Sequence, residues 1–462
     1  MAAGCHLQRQ FTNASTNTKK YTISFWVQRS NHGVEHALIT GNNSVDDGAS
    51  GRDFIRFESD DHLRISINGG TKGTIITDRK FDDTAAWYHI VVQYDSTESA
   101  ATDRLKLYVN GTQETVFDTD SRSDLTQDYA SEFNATNNYV RIGGDVQGSS
   151  NKLQGKMSHI HYVDGTIVAP SSFGSTDSTT GHWKINPGPS VTHGNHGFFI
   201  LKDGHNLSGS TVSDQSGGSN DFTVTGTLTK TESSPSNVYT TLNPQVPTGG
   251  GYQENSSTFE QGATTFQTNN SSSNYGFAVS QHLMYKGKFY AEVLYTSSSN
   301  QATIGVTASS GRRNNTNDYL GDKSYDLGLY TNGNIYYDGN NAAHGTSYTN
   351  GDYIGIFLDL DNNKLYFSKN GTIMNTTGYS VTDPDSATDD YGYLFACCEW
   401  NSSGNGNFKW NFGDGQFGGT QLTGTTYSGA NGFGIFKYDP TSITLDSTSK
   451  SFNACSTKGL NA

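Results

Sequence analysis

The residues that could carry out chemistry are few, and the best candidates among them are acids. Glu58, Asp60 and Asp61 stand close together in F-E-S-D-D-H-L. Two carboxyl groups about 5 to 10 Å apart can hydrolyse a glycosidic bond, one acting as the acid and the other as nucleophile or base. The same segment has the composition of a hairpin turn, in which acidic residues are common. Turn acidity is the better interpretation, and catalysis is the alternative.

Two histidines form a second candidate. His159 and His161 project to the same face if residues 155–164 form a strand, and paired histidines can contribute to a metal site. Paired histidines on a strand more often have a packing role than a role as two of the ligands of a metal site. The chain contains no G-x-S-x-G, P-loop or H-E-x-x-H segment. We therefore predict that the protein is not an enzyme.

A sequence motif that occurs twice predicts the β-strands of the chain. The strand pattern at 87–95 leads through a polar loop to K-L-Y-V-N-G at 106–111, and the pattern at 352–361 leads to K-L-Y-F-S-K-N-G at 364–371. Each copy of the motif indicates two β-strands followed by a tight turn, for which Asn-Gly supplies the positive φ angles. Apolar and polar residues alternate within these strands, so each sheet has one buried face. We therefore predict two antiparallel β domains.

Composition supports short strands with aromatic cores. The 462 residues include 53 Gly, 26 Tyr and 24 Phe, and only 16% are charged. This composition suits strands joined by many turns, and we find no convincing amphipathic helix. The formal charge of −14 argues against nucleic acid as a partner. No apolar run approaches the roughly 20 residues of a membrane-spanning helix, so we predict no membrane insertion.

The chain start and the cysteines add two expectations. The segment 1–10 lacks the charged and apolar regions of a secretory signal, which predicts assembly in the cytoplasm of the producing cell. The four cysteines show no C-x-x-C pair and no disulfide framework, so we expect reduced thiols. Cys397 and Cys398 are neighbours in a strand pattern, and they should therefore point to opposite faces of the sheet.

The order of motifs in the first part of the chain resembles a known family. The series S-F-W-V-Q-R, W-Y-H-I-V-V-Q-Y-D, R-L-K-L-Y-V-N-G, I-G-G and H-Y-V-D-G-T resembles the laminin-G-like, concanavalin A-type jelly roll found in phage surface proteins, over roughly residues 20–170. Hydrolases of this fold carry E-x-D-x-x-E. Here Leu63 stands where the second Glu would be, which weakens the catalytic alternative.

The second part of the chain resembles a different fold. The series G-K-F-Y-A-E-V, I-G-V, Y-I-G-I-F-L-D-L-D, L-Y-F-S-K-N-G and N-F-G is similar to the SPRY-like fold over about residues 275–415. SPRY domains generally bind partners through loops at one edge. Between the two parts, G-F-F-I-L-K-D-G and S-P-S-N-V-Y-T-T-L-N-P resemble the connecting region of a marine tailed-phage family that joins a laminin-G-like domain to a SPRY-like domain.

These observations predict an all-β protein with two jelly-roll or β-sandwich domains. We expect a concanavalin A-like, laminin-G-like domain at 1–170 and a SPRY-like sandwich at 250–437. The irregular connecting segment 171–249 should contain strands that complete the first sandwich. Residues 438–462 form a C-terminal extension, whose role as a contact to a neighbour stays open.

The resemblance implies one metal hypothesis. Laminin-G-like domains sometimes hold Ca²⁺ with Asp and carbonyl oxygens at the rim of the sandwich. Asp95 and Asp103 lie at the two ends of the loop in the first copy of the repeated motif. Asp145 follows the end of the I-G-G strand. These three residues are the candidate ligands for Ca²⁺, although loop Asp residues more often form Asx-turns. No other cofactor is required.

Aromatic side chains near loops give the ligand-binding hypothesis. Sugars present apolar C–H faces that stack on Trp and Tyr rings. The candidates in the SPRY-like part are Tyr330, Tyr336, Tyr337 and Trp400. Strand alternation places many aromatic residues of this chain in the cores, so the sequence does not decide which of them are exposed.

The resemblance implies a structural protein of a tailed-phage virion, either a tail or head appendage, a fibre or a decoration. It would be assembled in the host cytoplasm and would mediate adhesion by binding a glycan or a protein. The expected partners are other virion proteins, a host cell-surface glycan and further copies of the same chain. Two alternatives stay open: a glycan-degrading depolymerase of concanavalin A-type fold, and a scaffold without a ligand.

Overall fold

The computed structural model describes residues 5–43, 51–84, 86–146, 151–178, 181–203, 209–244, 257–268, 275–297, 301–308, 318–384, 392–400 and 406–458. The chain divides into two compact units, Met1–Lys230 and Thr231–Ala462. This division falls inside the segment 171–249 that the sequence analysis placed between its two domains. Both units consist of antiparallel sheets with many short turns, so the prediction of an all-β fold is confirmed.

The first unit is built from seventeen strands among its described residues. In chain order they are β1 (His6–Gln10), β2 (Lys20–Arg29), β3 (His36–Asn42), β4 (Asp53–Phe57), β5 (His62–Ser66), β6 (Thr74–Lys80), β7 (Tyr88–Asp95), β8 (Leu105–Val109), β9 (Thr112–Gln113), β10 (Phe117–Asp120), β11 (Tyr139–Ile142), β12 (Gly155–Asp164), β13 (Gly174–Thr176), β14 (Trp183–Ile185), β15 (Phe198–Ile200), β16 (Thr211–Val212) and β17 (Phe222–Thr225). A one-turn helix, α1 (Ala101–Arg104), lies between β7 and β8. Four 3₁₀ turns cover Asn68–Gly70, Arg122–Asp124, Glu132–Asn134 and Pro170–Ser172.

These strands form a two-layer sandwich. One sheet has the order β10-β6-β5-β4-β3-β11-β1-β17-β16, and the other has the order β15-β12-β2-β7-β8-β9. Alternation along β2 explains the core, because Tyr21, Ile23, Phe25 and Val27 all point between the sheets and are fully buried. Strands β15, β16 and β17 of the connecting segment belong to these two sheets.

The outer face of the six-stranded sheet is covered by the chain itself. Phe173 packs on Val91 and Val163, and Val168 and Val191 contact the same cluster. The hairpin β13–β14 adds Trp183, whose Nε1–H donates to Nδ1 of His89 at 2.9 Å. We call residues 166–178 and 181–193 the covering segment. The cover explains why both faces of β2 are buried.

The second unit contains nineteen strands among its described residues. They are β18 (Thr258–Glu260), β19 (Thr265–Gln267), β20 (Tyr275–Val279), β21 (Lys288–Tyr295), β22 (Ala302–Ala308), β23 (Asp326–Tyr330), β24 (Asn334–Tyr337), β25 (Asn340–Ala343), β26 (Tyr353–Asp359), β27 (Lys364–Lys369), β28 (Thr372–Ile373), β29 (Tyr379–Ser380), β30 (Tyr393–Trp400), β31 (Asn407–Asn411), β32 (Gln416–Phe417), β33 (Thr420–Gln421), β34 (Ile443–Leu445), β35 (Thr448–Lys450) and β36 (Asn453–Ala454).

This unit is also a sandwich. One sheet has the order β18-β19-β31-β21-β26-β27-β28, with β29 beside β27 and β36 parallel to β21. The facing sheet has the order β20-β30-β22-β23-β24-β25, and β32–β33 and β34–β35 are separate hairpins. Trp410 and Tyr295 are fully buried between the sheets. The strands β34, β35 and β36 show how the C-terminal extension is held against the sandwich.

Two local expectations are met. Asn110 and Gly111 have φ angles of 48° and 79°, and Asn370 and Gly371 have 49° and 83°, as a tight type I′ turn requires. Cys397 lies in the core between the sheets, whereas Cys398 lies in the cluster on the outer face, and all four cysteines are free thiols. No helix among the described residues has the length and apolar character needed to cross a bilayer.

Candidate functional site

A band of half-exposed aromatic rings lies on the outer face of the six-stranded sheet of the second unit. Its members, which we call the aromatic surface, are Tyr275, Tyr319, Tyr330, Tyr336 and Trp400. Ring centroids follow one another at 6.2 Å from Trp400 to Tyr275, 5.6 Å to Tyr319, 6.0 Å to Tyr336 and 5.0 Å to Tyr330. Five rings in continuous contact make a surface suited to flat apolar ligand faces.

Strand register and small residues position these rings. Tyr275 on β20 stands directly opposite Trp400 on β30, so the two side chains share one face. Tyr336 on β24 stands opposite Gly328 on β23, where a Cβ would lie 2.2 Å from Thr303 Cγ2 and 3.0 Å from Leu320 Cγ. Gly321 has a φ of +113°, and a Cβ at this position would lie 2.5 Å from the Tyr336 Cβ. Glycine is therefore required where the loop carrying Tyr319 approaches Tyr336.

Three phenols of the aromatic surface are neutral hydrogen-bonding groups. Burial raises the pKa of Tyr275, Tyr319 and Tyr330 above the ordinary value. Each therefore keeps its proton at neutral pH and can both donate and accept. Next to Tyr319, the carboxylates of Asp318 and Asp322 pair with Lys323 Nζ at 3.1 and 2.6 Å. The described charged groups beside Tyr319 are thus two carboxylates and one lysine paired with both.

The structure brings three of the four aromatic candidates together. Tyr330, Tyr336 and Trp400 belong to the aromatic surface. Tyr337 points the other way, because it follows Tyr336 directly in β24; its ring packs against Tyr379 at 4.9 Å and against the core. Tyr275 and Tyr319 are the members that sequence reasoning missed, and only their cross-strand and loop contacts identify them.

The three Asp candidates for Ca²⁺ each have a cation beside them. Asp95 pairs with Lys20 at 2.7 Å, Asp103 with Lys106 at 3.0 Å and Asp145 with Arg52 at 2.7 Å. Asp95 also accepts from Thr97 and has a lowered pKa, through hydrogen bonds from Lys20 and Thr97 that outweigh burial. No group of three or more His, Cys, Asp or Glu with metal-binding geometry occurs among the described residues. The carboxylates present do not fit a Ca²⁺ site.

Asp95 and Asp103 nevertheless line one cleft. It has a volume of about 350 Å³ and is also lined by Lys20, Glu98 and Lys106 on the outer face of the six-stranded sheet of the first unit. Asp145 does not line it. The cleft carries both signs of charge and no aromatic wall, so it lacks the stacking faces that the second unit offers.

The acids near β4 and β5 are structural partners of arginine. Glu58 pairs with Arg56 at 2.9 Å and with Arg64 at 3.5 Å. Asp61 pairs with Arg29 at 2.7 Å and accepts from the Gly33 N–H. These ion pairs hold the turn between the strands, in line with the interpretation of the segment as a hairpin turn.

His159 and His161 are both buried, and His161 lies against the covering segment. His161 stacks on Phe199 at 3.9 Å, and its Nδ1 lies 3.2 Å from Nε2 of His193. His159 contacts the same Phe199 ring at 5.8 Å. Burial lowers the pKa of both His159 and His161, so they are neutral members of an aromatic layer.

Family comparisons agree with this architecture. Residues 7–171 match a laminin-G-type model of the concanavalin A-like lectin/glucanases superfamily. Residues 286–412 match the SPRY domain model. The protein is thus an all-β chain that carries a concanavalin A-like domain followed by a SPRY domain, two classes of domain that point to ligand binding.

Solved structures with related folds are distant. The SPRY domain of human HERC1 is 18% identical with a TM-score of 0.27, over 33% of this chain and 91% of that one. A putative carbohydrate binding protein from Bacteroides ovatus is 14% identical with a TM-score of 0.33, over 48% of this chain and 56% of that one. A pentraxin from Limulus polyphemus is 15% identical with a TM-score of 0.27, over 36% of this chain and 73% of that one. Among curated proteins, none matches the chain.

Proposed function

We propose that this protein is a non-catalytic adhesion protein that binds a glycan through the aromatic surface of its second unit. The observation that carries the proposal is the unbroken contact between the rings of Trp400, Tyr275, Tyr319, Tyr336 and Tyr330 on a solvent-facing sheet. Tyr and Trp dominate binding sites because they bury a large area and lose few degrees of freedom.

The chemistry of the surface favours a neutral glycan. Sugar C–H faces stack on aromatic rings, while neutral phenols donate to and accept from sugar hydroxyls. Asp318 and Asp322 stand beside Tyr319, with Lys323 as their shared counter-ion. This balance repels anionic sugars more than neutral ones. A protein ligand with exposed apolar side chains is the second candidate, because the same rings suit it.

A glycan array probed with the full chain tests the proposal. We expect binding to neutral glycans, and Tyr336→Ala should weaken the apparent affinity about tenfold, which corresponds to the roughly 1.4 kcal/mol of one lost ring contact. Tyr285→Ala is the matched control, since Tyr285 is 49% exposed and lies outside the aromatic surface. Equal binding by wild type and Tyr336→Ala would show that the aromatic surface is not the glycan-binding site. A blank array together with capture of a virion protein would favour the protein ligand.

The proposed setting is the surface of a tailed-phage virion, on a tail or head appendage. Its support is the resemblance of the two domains and of the connecting segments around 197–204 and 234–244 to a marine-phage family. Such a setting favours a homo-oligomer, because many weak sugar contacts gain strength from multivalency. Antibodies against the chain should label intact particles in electron micrographs. Labelling only of lysed cells would argue against a virion position.

A further inference from the structure

A buried amine and a buried carboxyl group meet where the C-terminal extension docks on the second unit. Lys450 ends β35, and Asp359 ends β26. Lys450 Nζ lies 2.9 Å from Asp359 Oδ2, with side-chain exposures of 7% and 0%. This is the distance of a charge-assisted hydrogen bond, and it places the amine beside the carboxyl group. Lys450 Nζ lies 5.2 Å from the centroid of the Tyr366 ring, which belongs to a buried cluster with Phe357 and Phe452.

A proton path leads from the amine to the surface. Lys450 Nζ also lies 2.9 Å from the hydroxyl of Tyr366, and that hydroxyl donates to Asp446 Oδ2. Asp446 Oδ2 is itself 3.5 Å from Lys450 Nζ, and its side chain is 32% exposed. A second carboxylate therefore stands beside the buried pair, in contact with both the amine and water. Such a group can accept a proton and return it.

The other side of the carboxyl group is lined by donors. The backbone N–H of Asn362 donates to Asp359 Oδ1 at 3.1 Å. The Asn362 side-chain amide reaches Oδ1 at 3.1 Å and Oδ2 at 2.8 Å. Lys288 Nζ lies 3.8 Å from Oδ1. These groups are placed to stabilise negative charge on Oδ1 when a nucleophile adds to the carboxyl carbon.

We propose that Lys450 and Asp359 condense into an intramolecular isopeptide bond. The ammonium transfers one proton within the ion pair, and the resulting amine attacks Cγ of the protonated Asp359. A C–N bond forms, and the tetrahedral centre then loses the hydroxyl group as water. Asp446 takes the second proton from nitrogen, through Tyr366 or directly, and delivers it to the departing hydroxyl. The sum is one ammonium and one carboxylate converted to one amide and one water, with no other reactant.

Two features of the site govern this reaction. Burial disfavours the ammonium form of Lys450, but the hydrogen bonds that the ammonium donates to Tyr366 and Asp359 outweigh burial and raise its pKa. The proton must therefore move from Lys450 to Asp359 before attack, so bond formation should be slow after folding. Because the ion pair and the reactive amine–acid pair carry the same number of protons, raising the pH should not speed it. The folded chain compensates by holding the groups together, since positioned groups reach effective concentrations on the order of 10⁵ M or more.

The bond would fasten the extension to the sandwich. The hairpin β34–β35 would become covalently joined to the end of β26, while β36 pairs alongside β21 through backbone hydrogen bonds. A cross-link between distant parts of one chain restricts the unfolded state. In an adhesion protein under mechanical load, this bond would keep the C-terminal extension attached to the sandwich of the second unit.

The intact mass of the purified full chain, measured after complete denaturation, tests the proposal. We expect a mass about 18 Da below the sequence mass, the loss of one water in a covalent modification. Peptide mapping should recover one branched peptide that joins the segment around Asp359 to the segment around Lys450. An unchanged mass after long incubation at neutral pH would show that the two groups form an ion pair only. A water loss that maps to any other residue would overturn the proposal equally.

Three variants separate the chemistry from the fold. Lys450→Arg keeps a cation beside Asp359 but has no amine to condense, so its mass should equal its own sequence mass. Asp446→Asn removes the proton acceptor and should leave most chains without the bond. Lys369→Arg is the control, because the Lys369 pair with Asp352 belongs to another ion pair of the same unit. It should retain the full loss of about 18 Da. Bond formation in Asp446→Asn at the wild-type rate would contradict the role given to Asp446.

Discussion

Acid should destabilise the first unit through His89, which lies at the centre of the layer beneath the covering segment. Its ring is fully buried between Trp26 at 4.8 Å and Trp183 at 5.9 Å. Nδ1 accepts from the indole N–H of Trp183, and Nε2 lies 2.8 Å from the Ser24 hydroxyl. A proton on Nδ1 would break the bond to Trp183. The arrangement therefore requires neutral imidazole.

The size of the effect follows from the pKa. Burial lowers the pKa of His89 from 6.5 to about 3. The folded state binds the proton less tightly than the unfolded state, so its stabilising effect is complete above pH 6.5 and is lost as the pH falls toward 3. At pH 5 most unfolded chains carry this proton and few folded chains do. The free energy of unfolding should then be about 2 kcal/mol lower than at pH 8 from this residue alone.

Urea unfolding of the full chain at pH 8 and pH 5, followed by tryptophan fluorescence, measures the effect. His89→Gln keeps an acceptor for Trp183 and a donor for Ser24 but cannot titrate. Its loss of stability between the two pH values should be about 2 kcal/mol smaller than that of wild type. His36 and His6, whose pKa values burial lowers to about 3 and about 4, keep part of the dependence in both proteins.

His182→Gln is the control, because His182 is exposed. It should leave the pH dependence unchanged. An equal loss of stability in His89→Gln and wild type would refute the claim that His89 must stay neutral for the covering segment to remain in place.

Two further pairs of substitutions, each a test with its control, examine the packing of Gly111 and the buried ion pair of Asp61. Gly111→Ala should destabilise the first unit by about 2 kcal/mol or more, because its φ is +79° and a Cβ would overlap the Trp183 ring. Gly33→Ala, at φ +72° in open space, should cost less in the same thermal unfolding assay. Asp61→Asn should cost about 3 kcal/mol in urea unfolding, because it leaves buried Arg29 without a counter-charge. Asp128→Asn, which breaks an exposed pair with Lys19, should cost under about 1 kcal/mol; equal costs would contradict the argument.

The fold was predictable because its signals are local. Alternation along 21–27 identified a strand with one face in the core, and Asn110-Gly111 and Asn370-Gly371 identified tight turns. Both depend on neighbouring residues in the chain. The covering segment was not predictable in the same way. It contacts the six-stranded sheet through pairs such as Trp183 and His89, which are far apart in the sequence. The alternation of apolar and polar residues does not predict such a pair.

The candidate site was only partly predictable. Tyr336 and Tyr337 were grouped, although strand alternation alone could have placed them on opposite faces. Tyr275 was missed because its position opposite Trp400 is a property of sheet register. The lysine partner of Asp95 was missed for a similar reason, since β2 and β7 bring it there from a distant part of the sequence.

The central claim is that a ligand docks on the aromatic surface. Oxidative footprinting of the full chain, with and without the tightest glycan from the array, measures this directly because it reads the solvent access of each Tyr and Trp ring. We expect protection of Tyr330, Tyr336 and Trp400. Tyr285 and Tyr427, which are 49% and 37% exposed, should react equally in both states. Protection at those two control residues, or unchanged reactivity of the aromatic surface in the bound protein, would contradict the account.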